Sequence, residues 1–272
     1  MSQLCTALDT RVQAWNERPL GGQAYPFVLV DALVVKVRRD EAVRATRALM
    51  VSGINEAGRR ELLGLWLGDS ESEGTWTDMF AGLKRRGLRG VEVLVSDDHA
   101  GLVKAVQRHF QGIIWQRCQV HLQRHVLGRT PRHLRGQMAT GRRRIFQAAD
   151  RLAARAAFAA VAAGLEGKAD RALAILEEGL EDALAVLSLP EKYRVRLRTT
   201  NGMERLHEEI RRRERVIRIF PNEASALRLI GALLAEPHEV WSTGKRYFDM
   251  AEYYEWKTTH TQEVTQENRN VS

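Results

Sequence analysis

The sequence predicts an α/β fold: a mixed sheet flanked by helices, with an all-helical insertion late in the chain. Three observations lead there. Three strand-like segments follow one another between residues 27 and 67, with links too short for a crossover, so they pair antiparallel. Two more short apolar strands each follow a helix-period segment, which sets parallel neighbours beside the meander. After Cys118 the chain turns Ala-, Leu- and Arg-rich at helical period to about Pro190.

The first helix has Leu4, Leu8, Val12 and Trp15 on one stripe and ends near Pro19. FVLVDALVVKVRR, from Phe27 to Arg39, is the first strand, and RRDEA turns the chain into a second, around Val43 to Val51. A third runs from about Glu61 to Leu67. Ser70 with Glu73 has the spacing of a capping box, opening a helix that faces Trp76, Phe80 and Leu83 inward. Val91 to Val95 is a buried strand, His99 to Phe110 a helix and GIIWQ the last strand. After the insertion, TTNGMERLHEEIRRR opens a further helix, and another covers about Asn222 to Ala235. The expected division is 1–118, 119–198 for the insertion, 199–257, and a loose polar tail from 258 to 272.

The chain has 272 residues, 44% hydrophobic, enough for a substantial core. No apolar run approaches the ~18 residues of a membrane helix, and the start does not resemble a signal peptide, so a cytoplasmic protein is expected. Two cysteines, Cys5 and Cys118, suit a reduced compartment. The formal charge of +8 points toward a polyanionic partner. Its distribution is more specific: Gly101 to Ala149 holds ten cations, Arg142, Arg143 and Arg144 among them, and no carboxylate. Glu191 to Arg218 holds ten cations against five acids. Solvated faces interleave both signs, so these blocks read as phosphate contacts, although single arginines can be plain surface.

Asp31 stands inside an apolar strand, where an unpaired carboxylate costs several kcal/mol. It is either a satisfied structural group or a metal ligand. Asp97 lies just past the strand expected beside the first, and two carboxylates brought together call for a divalent cation between them. Oxygen ligands with open positions favour Mg²⁺ or Mn²⁺. Glu204 is the candidate third ligand; equally, with Asn201 as N-cap, it is the N3 acid of a capping box. Glu208 and Glu209 have Arg212 and Arg213 four residues on. Asp98 reads as the N-cap of the helix that follows. Cys118, His121 and His125 could share a helix face as zinc ligands, but lack a fourth.

VLVDALVVKVR, LVSDDHAGLVKAV, WQRCQVHLQRH, RTTNGMERLHEEIRRR and FPNEASALRLIGALL, in this order, resemble the catalytic domain of Mutator-type transposases of bacterial insertion sequences. The resemblance runs to about Trp256. It implies a ribonuclease H-like fold and an Asp-Asp-Glu triad on Asp31, Asp97 and Glu204, holding two Mg²⁺ or Mn²⁺ ions for DNA cleavage and strand transfer. Cys118 and His121 match the family's C-x-x-H element, read as structural or close to DNA. His207 stands where the family usually has Asn. Lys36, Arg38, Arg211, Arg212 and Arg213 would position phosphates. The implied partners are DNA, meaning terminal inverted repeats and target, a second copy of the chain and full-length transposase, in the nucleoid rather than at a membrane. Relatives carry a helix-turn-helix region ahead of this domain, so a regulator without activity of its own, or a hydrolytic nuclease, are the alternatives.

Overall fold

The computed structural model describes residues 3–259. Helix α1 (Gln3–Glu17) leads into strands β1 (Phe27–Arg39), β2 (Ala42–Ile54) and β3 (Arg60–Gly68). Helix α2 (Glu73–Arg85), β4 (Val93–Ser96), α3 (Ala100–His109) and β5 (Ile114–Arg117) complete the sheet region. The sheet order is β3-β2-β1-β4-β5, with the first three strands antiparallel and β4 and β5 parallel to β1. This is the mixed sheet expected from the sequence.

Strand alternation sorts β1 between two cores. Phe27, Leu29, Leu33, Val35 and Val37 face one cluster with Tyr193, Met203, Ile210 and Phe220. Val28 and Val30 face the other, with Trp76, Phe80 and Leu102 from α2 and α3. Asp40 and Glu41 form the two-residue turn between β1 and β2, both at positive φ, as such tight hairpin loops require.

Six helices follow: α4 (Gln119–Arg129), α5 (Arg135–Phe146), α6 (Arg151–Leu165), α7 (Asp170–Glu178), α8 (Leu180–Ala183) and α9 (Glu191–Leu197). Leu122, Met138, Ile145, Leu165 and Leu176 gather into a third cluster within them. Packing changes hands near residue 185: Val186, Leu189, Tyr193 and Leu197 already join the sheet core. Helices α10 (Asn201–Ile217) and α11 (Glu223–Thr243) return to the sheet, and 250–259 form a last helix.

Several local expectations are corrected. Helix α2 is capped by Ser72, whose hydroxyl accepts from the Thr75 amide, so Ser70 has no capping role. Helix α3 has His99 at its N-cap instead of Asp98. Helix α11 continues past Ala235 and through Pro237, because its far end packs along β3. Its start is closed by Asn222 and Ser225, each side chain accepting from the other's amide. Thr258 and Thr259 are helical, and the remainder of the expected tail lies outside the described residues.

The β2–β3 turn ties the hairpin to the C-terminal segment. Asn55 Oδ1 accepts from the amides of Ala57 and Arg59, and Gly58 sits at φ +78°. The Gly58 carbonyl accepts from the amides of Tyr247 and Phe248, and a Cβ at Gly58 would lie 2.0 Å from the Phe248 carbonyl oxygen. Gly58→Ala therefore combines an unfavourable φ with a backbone collision. It is expected to lower stability by at least about 1 kcal/mol in denaturant unfolding.

Candidate active site

Asp31 lies midway along the apolar row of β1 and is only 6% exposed. In the β1–β4 register Leu29 pairs with Val95, β4 ends at Ser96, and Asp97 just beyond it is close enough for its charge to act on Asp31. The Asp31 carboxylate accepts from the Ala32 amide at 2.9 Å and from the Thr200 hydroxyl. These bonds and the nearby His121 do not outweigh burial, reinforced by the Asp97 charge, so the Asp31 pKa is raised to about 6. A carboxylate so poorly compensated, with a second beside it, is a donor set that suits a divalent cation.

Helix α10 is hung over this pair by β1 itself. The Arg38 amide donates to the Phe220 carbonyl and the Phe220 amide to Lys36, both at 2.8 Å, where the chain leaves α10 through Arg218 at φ +63°. Met203, Leu206 and Ile210 pack down onto the sheet. Thr200 is the N-cap position, with no capping side-chain bond, and Asn201 is already helical. The capping-box account of Glu204 therefore falls. Glu204 instead forms an ion pair with Arg124 of α4, so the structure brings Asp31 and Asp97 together but holds Glu204 to a cation. Among the described residues no three of His, Cys, Asp and Glu stand close enough to share one metal ion.

His207 approaches Asp31, Nδ1 to Oδ2 3.9 Å. Burial, then Arg211 and His121, push its pKa down to about 4. The imidazole is thus neutral near pH 7, and this contact is not an ion pair. Its Nε2 is buried without a hydrogen-bond partner among the described residues. His121 is the opposite case: Cys118 first, then Asp31 and Asp97, raise it to about 9, against burial. Burial pushes the Cys118 thiol up, but His121 and the Thr200 amide, which donates to Sγ at 3.3 Å, bring it below its ordinary value. Cys118 and the two carboxylates thus all favour the charged form of His121. Thr200, which touches both Asp31 and Cys118, carried no signal in the sequence beyond its place before a helix.

Asp98 does not cap α3; its carboxylate pairs with the buried Arg117 at 2.8 Å. Asp97 has the local bond instead, accepting from the His99 amide at 3.4 Å. The basic candidates divide. Lys36 and Arg211 line a shallow groove with Arg215 and Arg218 beside the α10 end. Arg38 is exposed on β1. Arg212 and Arg213 both bind Glu209, which leaves Glu208 without the Arg212 partner expected for it. Arg142 donates to Gln123, and with Arg143 it lines a large cleft that does not include Arg144.

Two outcomes follow. Because Asp31 titrates higher in the folded chain than its ordinary 3.8, the native state holds more protons between about pH 4 and 6, and stability falls as pH rises through that window. Asp31→Asn should therefore stabilise the metal-free protein at pH 7.5, by up to about 3 kcal/mol, with the gain vanishing near pH 4 in thermal melts. Asp98→Ser should lower stability by about 1–2 kcal/mol in denaturant unfolding by stripping the buried Arg117 of its partner.

The model of the Mutator family of transposases matches residues 1–244. The transposase for insertion sequence element IS256 in transposon Tn4001 of Staphylococcus aureus is 38% identical over 250 residues, 91% of this chain and 64% of that protein. The transposase for IS406 of Burkholderia multivorans is 39% identical, covering 92% and 64%. The transposase for IS1081 of Mycobacterium tuberculosis is 35% identical, covering 92% and 60%. The chain thus spans about three fifths of the length of these curated relatives. It belongs to the Mutator family of transposases.

Proposed function

We propose that this chain carries the catalytic centre of an insertion-sequence transposase on a ribonuclease H-like fold, cleaving DNA at the element's ends and joining them to target DNA. The observation that carries the reading is the buried Asp31 of β1 with the Asp97 charge near it, just past the end of the parallel strand β4, under the helix that bears Glu204. Asp31, Asp97 and Glu204 would hold Mg²⁺ or Mn²⁺, which supplies activation of the attacking oxygen and stabilisation of the leaving 3′ oxygen. Release of Glu204 from Arg124 is then part of assembling the site, and DNA phosphates competing for Arg124 are a natural trigger. His121 keeps a positive charge beside the carboxylates, and neutral His207 closes the inner side. Lys36, Arg38 and Arg211 would hold backbone phosphates at the rim, without base readout.

DNA as substrate, a homodimer on it, pairing with full-length transposase and residence in the nucleoid all belong to this proposal. No helix among the described residues is long and apolar enough to cross a membrane. The ion pair that occupies Glu204 gives a second reading its footing: a DNA-binding or heterodimerising regulator, idle by itself.

The test is cleavage and joining of a labelled end-bearing duplex in Mg²⁺, Mn²⁺ and Ca²⁺, with and without a full-length relative. Products in Mg²⁺ or Mn²⁺ that disappear in Asp31→Asn, Asp97→Asn and Glu204→Gln, all still folded and DNA-binding, support the transposase. Cleavage without joining would point to a hydrolytic nuclease. No products in any arm would leave the regulator.

A further inference from the structure

A cleft of about 940 Å³ lies beside the candidate active site rather than in it. It opens between α4 and α5 of the helical insertion, α9, the first turn of α10 and the chain around 240–247. Seven cations line it and, among its lining residues, no carboxylate does. They converge from separate elements: Arg142 and Arg143 from α5, Arg196 and Arg198 from the α9 end, Arg205 from α10, Lys245 and Arg60.

Arg60 makes the cleft more than a basic surface. It is 7% exposed, its Nε donates to Ser52 Oγ at 3.0 Å, and its Nη2 is buried without a partner among the described residues. The guanidinium lies 3.9 Å from the centroid of the Trp241 ring, and Arg196 lies 4.5 Å from that of Tyr247. Burial lowers the Arg60 pKa only to about 10, so it stays charged at neutral pH. A buried cation with no counter-ion is costly unless an anion arrives, and aromatic stacking holds each guanidinium plane ready for one. Each stacked arginine covers one face of its ring, and the cleft's seven cations, with no carboxylate among the lining residues, offer their contacts to phosphate. Gly202 lets α10 approach: a Cβ there would come 3.1 Å from the Arg60 nitrogens. The amino end of α10, with no capping side chain, adds its own positive potential.

We propose that this cleft binds the phosphodiester backbone of a nucleic-acid strand, independent of sequence and separate from the strand held at Asp31 and Asp97. Asn201, Gly202 and Arg205 face the cleft, while Glu204 and His207 lie on the neighbouring flank of the same helix turn, toward Arg124 and Asp31. A strand in the cleft therefore runs alongside the catalytic centre. The volume exceeds the needs of one phosphate group, which favours a run of nucleotides over a free anion. The assignment rests on the transposase reading for the identity of that strand.

The test is anisotropy of labelled single-stranded and duplex oligonucleotides lacking terminal repeats, in Ca²⁺, with the whole chain. Arg205→Gln combined with Lys245→Gln removes two exposed cations without touching Arg60. The slope of log affinity against log salt should become shallower by about 1.8 for duplex or about 1.4 for a single strand, and Asp31→Asn should leave it unchanged. An unchanged slope and affinity in the folded double variant would overturn the proposal. So would inorganic phosphate displacing the oligonucleotide as well as an equal concentration of oligonucleotide phosphate does, which would make the cleft a simple anion pocket. Loss of cleavage activity in the unaltered chain would sink the transposase reading while leaving this measurement able to stand.

Discussion

One carboxylate, Asp31, sits in a row of β1 that is otherwise built for a dry core, and much of the surrounding structure answers that placement. Leu29 and Leu33 on either side of it are buried against the sheet core, which anchors the strand and denies water to the charge. The neighbouring strand brings Asp97, a second negative charge, where chemistry of stability alone would have placed a cation. Compensation is partial: one amide, one hydroxyl and the charged His121. The fold tolerates the strain because the long β1–β2 hairpin and the helices on both faces over-determine the backbone there.

The sheet was legible because its signals are local. Period-2 alternation, two-residue links and helix-length crossovers survive in a single sequence, and each specifies its neighbours. The nearness of Asp97 to Asp31 follows from the same strand order, since β4 runs parallel to β1 and ends at Ser96, one residue before Asp97. The caps were read less well. Asp98, Ser70 and Asn201 all have residue types that favour N-caps, but at Asp98 the buried Arg117 competes for the carboxylate, and at α10 Thr200 takes the cap position while its side chain turns to Asp31 and Cys118. A long-range partner outweighs a capping bond of about 1 kcal/mol, and no window of local sequence contains that partner. Arg124 on Glu204, 80 residues away, was invisible for that reason.

Charge is distributed by the same logic. Paired arginines such as Arg212 and Arg213 are surface groups with a carboxylate at hand, whereas the arginines of the cleft come together without one. A basic run in sequence does not distinguish the two. What does is whether the fold brings an acid into reach, and in the cleft it brings Trp241 and Tyr247 instead.

The Cys118 and Thr200 bond has a consequence for how this chain can change. The chain leaves the sheet just after Cys118, rejoins the sheet core from Val186 on, and at Thr200 is stitched back to its point of departure by the Sγ contact and by the Gln119 amide donating to the Arg198 carbonyl. The insertion is therefore a loop with a closed neck. Lengthening such a loop costs little, about 0.6 kcal/mol for each doubling. Residues can be gained or lost in its distal helices while the neck keeps α10 in its place above β1. The distance in sequence between Asp97 and Glu204 is free to drift; their distance in space is not.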